Sequence, residues 1–277
     1  MSLPPKLRQQ IAEHLSPEDT YRFLRAAPSM AQTMTRQHLE KQDEKGHTAL
    51  HFAIHEGDES TARLIVNRIT NVSQESNRGV TPLHQAVQDD NVGIAKMLIH
   101  AGADLATEDQ WGRFPLHLFC AMRDEPETEE LVQLALSKGA DPNAEDIFGA
   151  SAIHYAVQYP WSPSLDVLMA LLNAGADPRS SDKDGLTPLF WTVHHSHAEA
   201  FELLLMAGAD PLANSKHGTI LHAAVEAGRI DFVLRAILLG VDLMDRQNIL
   251  NETPLMIASR RRFADVEQIL IDAGAFI

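Results

Sequence analysis

Thr81-Pro82-Leu83-His84 is the clearest of seven related tetrads in this chain. Thr48-Ala49-Leu50-His51 precedes it. Phe114-Pro115-Leu116-His117, Ser151-Ala152-Ile153-His154, Thr187-Pro188-Leu189-Phe190, Thr219-Ile220-Leu221-His222 and Thr253-Pro254-Leu255-Met256 follow. Their first residues lie 33, 33, 37, 36, 32 and 34 positions apart. In the best copy, threonine caps a helix and proline takes the first turn, where no N–H is needed. Leu83, Ala86 and Val87 then give an apolar face at helical spacing, and Ile94, Ala95, Leu98 and Ile99 give a second helix a matching face. Neither helix buries its face alone, so neighbours must stack. Self-similarity at a period near 33 residues predicts a one-dimensional array with an extended concave surface.

A second phrase keeps the same register. Gly102-Ala103-Asp104, Gly139-Ala140-Asp141, Gly175-Ala176-Asp177 and Gly208-Ala209-Asp210 each close a helix, with Gly240-Val241-Asp242 and Gly274-Ala275 as weaker copies. The glycine suits the left-handed conformation that ends a helix, and the aspartate suits the turn that follows. With two linked motifs in register, the chain resembles the ankyrin-repeat family from about Gln42 to Ile277. The resemblance implies an all-α repeat solenoid of about seven helix-turn-helix repeats with β-turn fingers, preceded by a short helical segment. Counting from each tetrad places the repeats near 42–74, 75–107, 108–144, 145–180, 181–213, 214–246 and 247–277, with residues 1–41 standing outside. It also implies that His51, His84, His117, His154 and His222 bond backbone and link neighbouring turns, rather than bind metal or relay protons.

The formal charge is −15 over 277 residues, and the first 45 residues are nearly neutral. An array this acidic argues against nucleic acid and anionic membranes as partners and favours a basic or neutral one. No apolar run approaches the length that spans a bilayer, and no secretory signal is visible at the N-terminus. The single cysteine, Cys120, makes no internal disulfide and reads as a packing residue, which fits an intracellular location, cytoplasm or nucleus.

Residues 3–30 do not fit the repeat. Leu3-Pro4-Pro5-Lys6-Leu7 with Ile11 and Leu15 reads as a short amphipathic helix. Ser16-Pro17-Glu18-Asp19 then supplies the cap, first-turn proline and acids of a second helix, and a third is expected from near Ser29 to about Lys41. The leucine-proline opening, spaced leucine and isoleucine and serine-proline turn resemble an F-box of the kind that precedes ankyrin arrays in filamentous fungi. That implies linker binding through Leu3, Pro4, Leu7, Ile11 and Leu15, in a cullin-based SCF ubiquitin ligase. A helical cap for the first repeat is the alternative reading of the same residues.

The ankyrin resemblance places contact positions at inner-helix ends and finger tips. These include His55, Asp89, Met122, Tyr159, Trp191, His194, His195 and Glu226 along the inner helices, and Trp111, Arg113 and Phe148 in the fingers. The centre of the expected groove is aromatic, and aromatic anchors dominate binding surfaces. Repeats three and four carry insertions near Arg123-Asp124-Glu125-Pro126 and Pro160-Trp161-Ser162-Pro163, both expected in the loop between inner and outer helix. They would form a lip that includes Trp161 beside that centre.

Two functions follow. The leading one is an interaction module that recruits a protein partner in the groove and couples it to an SCF ligase. The other is an unconventional enzyme or binder of a small apolar ligand, such as a cyclase or isomerase of fungal specialised metabolism, with His194, His195 and Asp89 moving protons. No Walker loop, G-x-S-x-G, H-E-x-x-H or C-x-x-C motif is present, so no cofactor or metal is expected and the enzymatic reading has no motif behind it.

Overall fold

The computed structural model describes residues 13–122, 126–161, 163–246 and 248–276. It opens with α1 (Pro17–Ala26), a 3-10 turn (Pro28–Thr33) and α2 (Arg36–Leu39). Paired inner and outer helices follow: α3 (Ala49–His55) with α4 (Glu59–Val66), α5 (Pro82–Gln88) with α6 (Val92–His100), α7 (Pro115–Cys120) with α8 (Pro126–Ser137), and α9 (Ala152–Val157) with α10 (Leu165–Asn173). The last three pairs are α11 (Pro188–His194) with α12 (Ala198–Met206), α13 (Ile220–Glu226) with α14 (Ile230–Leu238), and α15 (Pro254–Arg261) with α16 (Ala264–Asp272). Among the described residues there is no strand, only an isolated bridge between Ser215 and Gly218. This is the helical repeat solenoid that the tetrads predict.

Each tetrad does local work. The Thr81 hydroxyl accepts from the His84 N–H at 3.3 Å, and Thr187 and Thr253 cap α11 and α15 the same way. The histidine closes the box from the other side. Nδ1 of His51, His84, His154 and His222 accepts the N–H of Thr48, Thr81, Ser151 and Thr219 at 3.1–3.3 Å. An accepting Nδ1 leaves the proton on Nε2, which then donates into the next repeat. The acceptors are the carbonyls of Val80, Arg113, Leu186 and Glu252, at 3.3, 3.0, 3.2 and 3.1 Å. One imidazole thus caps its own helix and ties the following finger, each bond contributing about 1 kcal/mol.

The outer helices end as the second phrase requires. Gly102 takes φ +87°, its N–H bonds to the Ile99 carbonyl, and the Ala103 N–H bonds back to Leu98. That pair of bonds satisfies carbonyls the helix would otherwise leave open.

The fingers rest on a residue five positions before the tetrad. Oδ1 of Asp43, Asp109, Asp146 and Asp182 accepts two backbone N–H groups each, as from Trp111 and Arg113 at 2.9 and 3.0 Å. Adjacent fingers then join by backbone, Asn77 N–H to Lys45, Lys183 N–H to Phe148 and Lys216 N–H to Asp184, each at 2.9 Å.

The chain divides into two compact units, Met1–Phe119 with Glu130–Asp141, and Cys120–Glu129 with Pro142–Ile277. In the first, α1 lies on α3 and α4 and buries Tyr21 and Leu24 there, α3 packs on α5, and α4 on α6. In the second, α9, α11, α13 and α15 pack in succession, with α10, α12, α14 and α16 outside them. Phe201 and Phe232 meet edge to face at 5.3 Å between α12 and α14.

Two expectations need correction. The helix expected from Ser29 to Lys41 is broken at Met34, because Thr35 caps a separate short helix with His38 in a second capping box. The third-repeat insertion is not all loop. α8 begins at Pro126 and runs 12 residues, against 9 for α10, α12, α14 and α16. Glu127 and Glu129 fall in its first turn, where the helix dipole favours acids. Leu3, Pro4, Leu7 and Ile11 lie outside the described residues, as do Arg123, Asp124 and Glu125.

Candidate functional site

In the first unit the finger of the third repeat presents Trp111 and Arg113. Trp111 is 41% exposed, and the Arg113 guanidinium sits 4.5 Å from its ring centroid. Arg113 is not free for a partner. Its Nε and Nη2 donate to Oδ2 of the buried Asp109 at 2.9 and 2.7 Å. Burial pushes the Asp109 carboxyl up, but the bonds from Arg113 and from the Trp111 and Arg113 backbone outweigh it and hold the carboxyl below its ordinary value. The pair therefore stiffens the finger and holds the indole flat against a cation.

At the inner-helix ends of this unit, His55 Nδ1 meets Asp89 Oδ2 at 3.3 Å, and Gln85 donates to the same oxygen. Asp89 is the residue after α5 and is engaged by its neighbours. Met122, which belongs to the second unit, is half-buried beyond α7. Cys120 is buried, and burial raises its thiol well above the ordinary range, in keeping with a packing role.

In the second unit Phe148 stands 60% exposed at the tip of the fourth finger. The fourth-repeat insertion carries Trp161 onto Tyr159, with ring centroids 4.4 Å apart and planes within 6°. The backbone there is fixed from the next repeat, since His197 Nε2 lies 2.9 Å from the Tyr159 carbonyl. Trp191 stacks on His195 at 5.7 Å and meets His194 edge to face at 5.6 Å. Burial lowers the pKa of His194, against the pull of Glu226. It lowers that of His195 as well, with His194 adding to the effect. The His194 and His195 rings meet edge to face at 4.8 Å. His194 lines a cavity of about 470 Å³, while His195 Nε2 is buried and has no hydrogen-bond partner among the described residues.

That cavity lies among α11, α13 and the seventh finger, walled by Phe190, Trp191, Ile249 and Leu250. Glu226 also borders it, but is held by Arg260 at 2.9 Å and by Arg261. Arg260 reaches Glu252 as well, at 2.9 Å. Two of the three consecutive arginines Arg260, Arg261 and Arg262 are therefore paired within the fold. Among the described residues, no group of three His, Cys, Asp or Glu side chains could hold a metal ion, and no helix is long and apolar enough to cross a membrane.

Sequence reasoning located the inner-helix ends but missed Asp43, Asp109, Asp146 and Asp182 as finger organisers, although the five-residue offset from the tetrad was readable. It also missed Ile249 and Leu250, for which no periodic signal exists.

Comparison with known proteins agrees with this architecture. The family described as ankyrin repeats (three copies) matches residues 23–109, 116–215 and 161–244. The chain belongs to the ankyrin-repeat family, whose members are protein–protein interaction modules. It is similar to rabankyrin-5 of Mus musculus, 30% identical over 150 residues, which are 53% of this chain and 13% of that protein. It is similar also to the B-cell lymphoma 3 protein homolog of Mus musculus, at 31% over 54% of this chain and 33% of that protein. The NF-kappa-B p105 subunit of Gallus gallus is 33% identical over 53% of this chain and 15% of that protein. The chain thus spans a third or less of the length of these relatives. Among solved structures, the ankyrin repeat domain of Bcl-3, described as a member of the IkappaB protein family, superposes with a TM-score of 0.63 at 30% identity, covering 81% of this chain and all of that one. The human ASB11 ankyrin repeat domain has a TM-score of 0.69 at 24% identity, over 83% of this chain and all of that one, which is likeness of fold.

Proposed function

We propose that this chain binds protein through its finger tips and inner-helix ends, with Trp111 as an anchor in the first unit and Phe148, Tyr159 and Trp161 as anchors in the second. The observation that carries the reading is the placement of these rings. Large aromatics ordinarily go to the core, yet Trp111 and Phe148 stand out from fingers that buried aspartates hold rigid. Rigid, solvent-facing aromatics are what a binding surface needs, because little entropy is lost when a partner covers them. The charge of −15 adds steering towards a neutral or basic partner.

Residues 13–41 act in this reading as a cap for the first repeat. Supporting it, α1 spends Tyr21 and Leu24 on α3 and α4, and Arg68 donates to the Ala31 carbonyl at 2.7 Å. The SCF adaptor role rests on Leu3, Pro4, Leu7 and Ile11 together with the half-buried Leu15. Co-purification with the SCF linker subunit, lost in a folded Leu3→Asp/Ile11→Asp variant, would establish that role. No retention by the wild type would reduce the segment to a cap.

The test of the binding reading is selection from a random 12-residue displayed peptide library, followed by NMR mapping of the bound peptide on the full chain. Shifts at Trp111, or at Phe148 and Tyr159, support it. Shifts confined to the outer helices, or no retained peptide, overturn it.

A further inference from the structure

We infer that the cavity between Trp191 and Leu250 is a pocket for one bulky, uncharged apolar side chain of a partner peptide. The inference rests on the protein-binding reading above and adds where its second unit grips and what it selects. The space of about 470 Å³ falls within the range of ligand pockets and has room for an aromatic side chain. Its mouth is formed by Ile249 and Leu250, 69% and 64% exposed, two adjacent large apolar residues offered to water by one finger. Asn251 takes φ +54° directly after them, which fixes how that finger turns.

Charge decides the occupant. Glu226 is the one carboxylate among the described residues lining the pocket, and both its oxygens are taken, one by Arg260 and one by Arg261. His222 is committed at both ring nitrogens, to Thr219 and to the Glu252 carbonyl. Burial favours the neutral form of His194. A lysine or arginine entering here would lose its hydration and meet no unpaired anion, a loss that apolar contact does not offset. A tryptophan, phenylalanine or leucine loses no such hydration and shields Ile249 and Leu250 from water. The chain's net charge of −15 favours a peptide whose apolar anchor is flanked, outside the pocket, by lysine or arginine.

The test starts from peptides of the displayed library that bind the full chain, measured against wild type and Leu250→Asp, with Ile249→Asp as a second variant should the first fail to fold. Both side chains are exposed, so each variant should melt as wild type does. The pocket predicts a fixed tryptophan, phenylalanine or leucine in the selected peptides and a loss of about tenfold or more in affinity with either variant. Unchanged affinity with a folded variant overturns the pocket while leaving the protein-binding reading intact. Failure to select any peptide removes both. N-acetyltryptophan amide and N-acetyllysine amide serve as probes by NMR. Shifts at Trp191 and Leu250 with the first alone support an uncharged anchor, and equal shifts with both overturn it. Shifts with the tryptophan amide where no peptide binds would make the occupant a free small molecule and overturn the assignment to a partner's side chain.

Discussion

Arg113 and Asp109 form a two-pronged ion pair inside the third finger, at 2.9 and 2.7 Å, with the carboxylate buried and the guanidinium over Trp111. One carboxylate thereby accepts four bonds, two from backbone and two from the arginine. An anchor held this way is pre-organised before any partner arrives.

Asp109→Ala removes all four bonds and leaves two backbone N–H groups and a cation unpaired. It is expected to destabilise the chain by about 2–4 kcal/mol, read from urea unfolding. Arg113→Lys keeps the charge but loses the fork, and should cost about 1 kcal/mol. A loss for Asp109→Ala no larger than for Arg113→Lys would show that the finger does not depend on the carboxylate.

The tetrad histidines make the fold acid-sensitive. Burial lowers His51 from 6.5 to about 4, and lowers His84 and His222 in the same direction. Each is needed neutral, because Nδ1 must accept from the capping residue's own N–H. Below pH 6.5 the unfolded chain takes up protons that the folded chain refuses, so stability falls as pH drops and rises again towards neutrality. His51 alone accounts for on the order of 3 kcal/mol across that window. Thermal unfolding between about pH 7 and pH 4.5 should show a steep drop in midpoint, reduced in His51→Gln. A flat profile would contradict the tautomer assigned here.

Arg262 ends α15 in the left-handed region at φ +61°, where Gly57 and Gly228 serve α3 and α13 at +63° and +66°. A side chain there carries strain that glycine lacks. Arg262→Gly should raise stability by about 0.5–1 kcal/mol, since Arg260 and Arg261 and not Arg262 hold Glu226. Destabilisation instead would show that the Arg262 side chain has a structural role of its own.

Cys120 should resist alkylation in the native state and react fully once unfolded, because burial raises its thiol and hides it. Mass spectrometry after iodoacetamide treatment, with and without urea, reads this directly. Rapid native labelling would contradict the packing role.

The repeats were legible because their signals are local. Thr81, Pro82 and His84 act within one turn, and Gly102 acts on the four residues before it, so sequence spacing alone locates them. The break at Thr35 was missed because His38 is a capping partner outside the tetrad pattern. The extra length of α8 was missed because the length of an inserted segment does not say whether it coils or extends. The pocket wall at Ile249 and Leu250 depends on how the seventh finger folds against α11 and α13, and two adjacent apolar residues carry no period. Arg113 was expected to face a partner, and only the geometry shows that Asp109 already holds it.

The most direct measurement of the central claim is a fluorescence-anisotropy titration of one selected peptide against wild type, Trp111→Ala, Tyr159→Ala and Glu59→Ala. Glu59 sits on the outer helix α4 and pairs with Arg63 one turn on. The account predicts that Trp111→Ala or Tyr159→Ala weakens binding about tenfold or more while Glu59→Ala binds as wild type does. Equal effects from all three would contradict the assignment of the binding surface to the fingers and inner-helix ends.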